Sequence, residues 1–343
     1  MFGYYLELAL RSLKRNKVLT ALMVLALALG IGASMTTLSV LHVLSGDPLP
    51  DKSARLYYPQ LDPQDMDGYQ PGKEPPQQVT WIDGMNLLHA ARATHQALMT
   101  GGAVAIQPDA SSIDPFFEDA RYTTVDFFSM FEVPFLYGRA WSAADDAASA
   151  RVAVISRTLN DKLYGGEDST GKALQIGDIS FRIVGVIDAW RPTPQFYDLF
   201  TSIAEREGVF LPLTTATDVK FSHNGSTDCW GNGSGDDMRK APCTWLQFWA
   251  QLDSAKQAAA YKQYLINYSH EQKTLGRFQR PANVRLRSLM QWLDFNKVVP
   301  SDVRLQVWLA LGFLLVCLVN TVGLMLAKFL RRSGDIGVRR ALG

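Results

Sequence analysis

The 343 residues carry 34 Lys and Arg against 33 Asp and Glu, a net charge of +1, and that length allows one large or two ordinary domains. A charge so near zero excludes the basic field of a nucleic-acid-binding protein, so no nucleic-acid partner is expected. The mean hydropathy of −0.03 averages over a strong contrast, because apolar residues concentrate towards the two ends.

Phe2, Tyr5, Leu6, Ala9, Leu10 and Leu13 recur at helical spacing, with Glu7, Arg11 and Lys14 elsewhere on the wheel. The pattern predicts an amphipathic helix over residues 1–17, lying at the cytoplasmic membrane interface. A plain cytoplasmic extension of the next helix is the alternative. Between Val18 and Gly46 there is no Asp, Glu, Lys or Arg. About 20 apolar residues cross a bilayer as a helix, so residues 18–46 are expected to span it. Gly30, Gly32, Ala33 and Ser34 are small enough to admit a close partner helix, in this chain or another. A cleaved signal peptide competes with this reading, but its apolar core runs only about 7–15 residues.

The polar middle, residues 47–301, opens with a short apolar patch at Leu56–Tyr58 and a Pro-, Asp- and Gln-rich loop. Trp81, Met85, Leu88 and Arg92 share one face of a helix expected over 80–95, and Arg121–Val125 reads as a strand. Asp126-Phe127-Phe128 opens a short helix ending near Pro134. Strands are predicted at Val152–Ile155, Leu174–Ile176, Phe181–Ile187, Val209–Leu211 and Trp245–Leu252, with a helix from Arg157 to Tyr164. Ala258, Tyr261, Leu265 and Tyr268 mark one face of a helix from Ser254 to His270, and Asn283–Leu289 alternates as a half-buried strand.

Three cysteines are present. Cys317 falls in the second apolar run and reads as packing. Cys229 and Cys243 flank a Gly-, Asn-, Ser- and Asp-rich loop. In an oxidising compartment a disulfide between them staples that loop; two free thiols are the alternative.

Leu305 to Ala327 is again free of charge, and Ser301 is placed to cap a second span over residues 302–328. Arg11, Lys14, Arg15 and Lys17 precede the first span, and Lys328, Arg331 and Arg332 follow the second. Lys and Arg collect on the cytoplasmic side, so both chain ends are expected there and the middle outside. The basic segment after the second span has two readings. It is either an anchor at lipid headgroups or a handle for another protein.

Catalytic and cofactor signatures do not emerge. Gly166 to Lys172 fits a phosphate-binding loop until Ala173 stands where Ser or Thr would hold magnesium, and it joins a helix to a strand rather than the reverse. Neither Gly-x-Ser-x-Gly nor His-Glu-x-x-His occurs, and the five histidines lack metal spacing. No enzyme, cofactor or metal site is expected in this chain.

The order of elements, ending in Asp335-Ile-Gly-Val-Arg-Arg-Ala-Leu-Gly343, resembles the MacB/FtsX-like permeases of ABC transporters, the type VII class. Their mark after the second span is Glu-Ile-Gly-x-Arg-Arg-Ala-x-Gly-Ala, for which Asp335 supplies the acid. Asp126-Phe-Phe-Ser-Met-Phe-Glu-Val-Pro134, Gly138-Arg139, Val152–Ile155, Tyr164-Gly-Gly166, Gly171-Lys172 and Ile183-Val-Gly-Val186 resemble the pattern of the family's periplasmic core domain.

The resemblance implies an α+β membrane protein of the bacterial inner membrane, two transmembrane helices flanking a large extracytoplasmic α+β domain. That domain would comprise a porter-like βαβ part near 47–128 and 244–300, a mainly β Sabre-like part near 129–216, and the cysteine loop near 217–243. The family has four spans, so its third and fourth are expected beyond residue 343. ATP would be bound by a separate ATPase subunit gripping a coupling segment at 329–343, through Asp335, Ile336, Gly337, Arg339, Arg340 and Leu342. Gly334 and Gly337 would let the chain turn sharply after the span and start a short helix. A second permease copy or paralogue, membrane lipid and a periplasmic adaptor are the other expected partners. The implied work is export, substrate extraction or mechanotransmission. A two-span sensor with an extracytoplasmic ligand-binding domain is the rival.

Overall fold

The computed structural model describes residues 17–108, 113–200, 207–231 and 237–341. They form a helical unit, built from the two chain ends, and an outer unit, Asp47–Asn296. The interfacial helix expected over 1–17 lies outside the described residues except for Lys17, where helix α1 (Lys17–Ser45) starts.

In the outer unit a 3-10 turn leads into strand β1 (Leu56–Gln60), and α2 (Trp81–Ala90) follows the Pro-rich loop. Thr80 caps α2 by accepting from the Asp83 amide, and Ala91 ends it in the left-handed region at φ 48°. Next come β2 (His95–Ile106), β3 (Phe116–Thr123), α3 (Asp126–Met130), β4 (Phe135–Gly138), α4 (Ala143–Ala147), β5 (Val152–Ser156) and α5 (Arg157–Tyr164). β6 (Ala173–Ile176), β7 (Ile179–Ile187), β8 (Val209–Pro212) and α6 (Leu213–Asp218) precede the short strands β9 (His223–Asn224), β10 (Asp228–Cys229) and β11 (Cys243–Thr244). β12 (Gln247–Gln251), α7 (Ala255–Thr274), β13 (Arg285–Ser288) and α8 (Leu289–Phe295) complete the unit.

Eleven strands share one sheet in the order β13-β1-β12-β2-β3-β8-β5-β7-β4, with β6 against β2 and β7, and β9 against β2. β3 with β8 and β5 with β7 run parallel, whereas β2 and β3 form a long antiparallel ladder from Met99↔Thr123 to Ile106↔Phe116. β2 is the longest of the strands that the sequence reading does not single out, along with β4, β9, β10 and β11. It is buried on both faces over most of its length, so its residues do not alternate, and Gly101-Gly102 interrupts its apolar run. The glycines have a steric cause: a Cβ at Gly102 would enter the Tyr122 ring, and one at Gly101 would strike the Asn224 side chain. Helix α8 is likewise absent from the sequence reading, although Ser288 and Gln291 form a capping box before it.

Aromatic side chains fill the interior beside α3. Phe127 lies edge-on to Phe131 at 5.0 Å and to Tyr197 at 5.2 Å, and Phe131 meets Phe196 at 5.0 Å. Asp126-Phe127-Phe128 therefore opens a helix whose apolar side is a core anchor, with Phe127 wholly buried.

Helix α9 (Ser301–Ala341) runs for 41 residues. It passes through Gly334 and Gly337 without the sharp turn expected there. Glycine permits a turn but does not impose one, and inside a helix it costs only about 1 kcal/mol relative to Ala. Thr20–Ser45 and Asp302–Leu326 are long and apolar enough to cross a membrane. The two helices pack antiparallel: Gly30 lies against Leu314 and Cys317, and the Ser34 hydroxyl donates to the Ala310 carbonyl at 3.2 Å. Gly30 and Ser34 thus receive a partner from within the chain, whereas Gly32 and Ala33 are exposed.

Replacing Phe127 with Ala removes a ring packed on every side, and should lower outer-unit stability by about 3–5 kcal/mol, read from the midpoint of denaturant unfolding.

Candidate functional site

Two regions carry the chemistry of the chain: a charged centre inside the outer unit and the basic end of α9. Arg121 on β3 is 1% exposed, yet it is an ion. Its guanidinium donates to Asp198 Oδ2 at 2.7 Å and, through Nε, to Glu207 Oε1 at 3.0 Å; its second terminal nitrogen also reaches Glu207. The Tyr197 ring lies 5.2 Å from the guanidinium carbon. Glu207 further accepts from Gln195 at 2.8 Å and from the Tyr197 hydroxyl at 2.6 Å, and Asp198 accepts from the Phe200 amide at 3.0 Å.

Burial works against the charge on Arg121, but Glu207 and Asp198 hold its pKa above the ordinary guanidinium value. The Tyr197 hydroxyl is pushed well above its ordinary value by burial and by Glu207. Arginine suits this site because its planar fork serves two carboxylates at once. The sequence offers no local signal for the cluster, since Arg121 is 77 residues from Asp198 and 86 from Glu207.

A cleft of about 570 Å³ opens beside this cluster, walled by Glu118, Arg157, Asp161, Asp188, Trp190 and Arg191 among others. Its volume suits a small molecule. On its wall Arg157 donates to Asp188 at 3.0 Å, and Trp190 stacks on Tyr197 at 5.4 Å. Burial raises the Glu118 carboxyl above its ordinary value, and burial together with Glu207 does the same to Asp119. Among the described residues no group of three or more His, Cys, Asp or Glu is placed to hold a metal ion.

Cys229 and Cys243 are bonded to each other and stand opposite in the β10–β11 pair. Cys243 is buried and Cys229 exposed. The segment rests on the rest of the unit through aromatic contacts, His223 at 4.7 Å from Trp245 and Trp81 stacked on Trp245 at 6.3 Å. The phosphate-loop look-alike is a turn from α5 to β6, where Gly171 donates to the Ile183 carbonyl at 2.8 Å.

Asp335, Ile336, Gly337, Arg339 and Arg340 all fall within α9, and Leu342 lies outside the described residues. In helical register Ile336, Arg339 and Arg340 occupy i, i+3 and i+4, which is one face. The structure therefore brings these positions together along a helix rather than across a turn.

The model of the MacB-like periplasmic core domain matches residues 20–268. The chain belongs to this family. It is 24% identical over 352 residues to the macrolide export ATP-binding/permease protein MacB of Rhodospirillum rubrum, covering 100% of this chain and 48% of that protein. It is 25% identical over 189 residues to the pyoverdine export ATP-binding/permease protein PvdT of Pseudomonas entomophila, covering 54% of this chain and 27% of that one. The chain thus spans about half, or less, of the length of these curated relatives. Among solved structures, the periplasmic region of MacB from Actinobacillus actinomycetemcomitans aligns with 71% of this chain and 94% of its own, at 11% identity and a TM-score of 0.45. The outer unit is α+β, and in sequence one apolar helix precedes it and another follows it.

Removing the guanidinium while leaving its partners tests whether the buried centre holds the outer unit together. Arg121→Met should destabilise the unit by about 3–5 kcal/mol, because two carboxylates remain buried without their cation. Thermal or denaturant unfolding reads the change.

Proposed function

We propose that this chain is the permease portion of an ATP-driven ABC complex. The observation that carries the proposal is the family match over residues 20–268, which takes in the first apolar helix and most of the outer unit, in a chain whose second apolar helix runs on into a basic helical end. The relatives from Rhodospirillum rubrum and Pseudomonas entomophila are named as ATP-binding/permease export proteins, which supports the assignment.

On this reading the chain lies in a bacterial inner membrane with both described helices crossing it. Lys17 precedes the first apolar run and Lys328, Arg331 and Arg332 follow the second, so both helix ends bearing them face the cytoplasm and the outer unit faces the periplasm. The chain itself is non-catalytic. ATP is bound and hydrolysed by an ABC ATPase subunit that grips α9 near Asp335, Ile336, Gly337, Arg339, Arg340 and Leu342.

A continuous helix suits that role, since a rigid rod carries displacement of one end to the other. The outer unit then receives the movement and applies it to export, to extraction from the outer leaflet, or to a periplasmic adaptor. A second permease copy or a paralogue completes the membrane part, with lipid around it. The porter-like and Sabre-like division of the outer unit, near 47–128 with 244–300 and near 129–216, belongs to the same proposal.

Reversing two charges tests the grip. Arg339→Glu together with Arg340→Glu should reduce co-purification of the ATPase subunit about tenfold or more while leaving the chain in the membrane. Unchanged co-purification refutes the assigned handle.

A further inference from the structure

The cleft of about 570 Å³ lies where several strands of the outer unit's sheet end. β5 and β7 run parallel and finish at its wall, at Ser156 and Ile187, and α5 starts there at Arg157. Crevices at the carboxyl ends of parallel strands are where sheets of this kind receive ligands. The charges on the wall do not balance, because four carboxylates and two guanidiniums line it. Arg157 answers Asp188, and Arg121 answers Glu207 from within the core. Of the remaining three, Asp161 and Arg191 are exposed to water, and Glu118 is half-buried.

Glu118 stands on β3, and among the described residues no group donates a hydrogen bond to its carboxylate. Lys162 acts on it only through space, since its Nζ lies over the Phe116 ring, 2.9 Å from the centroid. The backbone nevertheless keeps room for this carboxylate: a Cβ at Gly208 would strike Glu118 Oε1. A half-buried anion without a donor is costly, so its retention in a cleft wall calls for a partner that brings one. The same wall carries Trp190, half-buried and held by Tyr197 stacked at 5.4 Å and Phe127 edge-on at 5.8 Å. Among the described residues no other ring lies parallel to the indole. An indole face attracts cations and covers an aliphatic stem equally well.

We infer that this cleft is a binding site for a small aliphatic primary amine, with Glu118 taking the ammonium group and Trp190 the stem. A primary ammonium is compact and donates three hydrogen bonds, so one group supplies both the charge and the donors that Glu118 lacks. The surplus of carboxylates on the wall favours a cation over an anion in the same space. Tyr197 and Glu207 belong both to this wall and to the Arg121 centre, so an occupant of the cleft rests directly on the segment that the centre fastens. The inference concerns the outer unit alone and does not depend on ATPase coupling.

The test measures equilibrium binding of radiolabelled putrescine to the full chain in phosphatidylcholine discs, which carry no net charge to collect the amine. Binding should saturate, and n-butylamine should displace the label where butyrate does not. Glu118→Gln should weaken binding about tenfold or more, and Trp190→Leu about threefold to tenfold. Asp178→Asn removes the same charge from an exposed position outside the cleft and should leave binding unchanged. Glu118→Gln should unfold at the parent's midpoint or above it, since it takes away a charge without a donor, so its loss of binding is not a loss of fold. Binding that fails to saturate, or that Glu118→Gln leaves unchanged, overturns the inference. So does equal weakening by Asp178→Asn, which would mark a general effect of charge, or displacement by butyrate as effective as that by n-butylamine.

Discussion

Ser34 gives its hydroxyl proton to the Ala310 carbonyl of the facing helix, and beside it Gly30 lets Leu314 close against the backbone. In hydrocarbon there is no hydrophobic drive between helices, so close packing and interhelical hydrogen bonds must hold them. Small residues at this seam allow both. The chain leaves α1 at Ser45 and re-enters α9 at Ser301, so the two ends of the outer unit are tied to helices that grip one another.

The outer unit meets a related requirement in its own interior. Its sheet buries Arg121, and two carboxylates from the segment leading into β8 must follow to neutralise it. Buried ion pairs contribute little net stability compared with apolar packing, but losing one partner is costly. The cluster therefore works as a fastening of fixed geometry: it holds Tyr197, Asp198 and Glu207 to one position beside Arg121 on β3. Phe127 and Phe131 pack against Phe196 and Tyr197, so the polar and aromatic contacts agree on one arrangement.

Much of this was legible in the sequence, and the exceptions have physical reasons. The apolar helices were readable because absence of charge over more than 20 residues has few meanings. β5, β7 and α7 were readable because their burial follows a simple pattern, and Ser254 caps α7 in full view. β2 was not, because Gly101 and Gly102 are chosen by Asn224 and Tyr122, residues distant in sequence. The Arg121 centre was hidden for the same reason. Gly334 and Gly337 misled in the opposite direction, since their freedom to turn is not used within α9. The basic end of α9 could be recognised by its resemblance to a family segment, and its chemistry alone left an anchor and a handle both open.

In the proposed coupling, nucleotide binding by an ATPase subunit at the basic end of α9 is felt in the outer unit. Hydrogen exchange of the outer unit tests it most directly, in membranes that hold the chain together with an ABC ATPase subunit. Amides near β2, β3 and the segment carrying Asp198 and Glu207 should exchange at different rates without nucleotide and with ATP trapped on the ATPase. Identical exchange across the outer unit in both states would contradict the account.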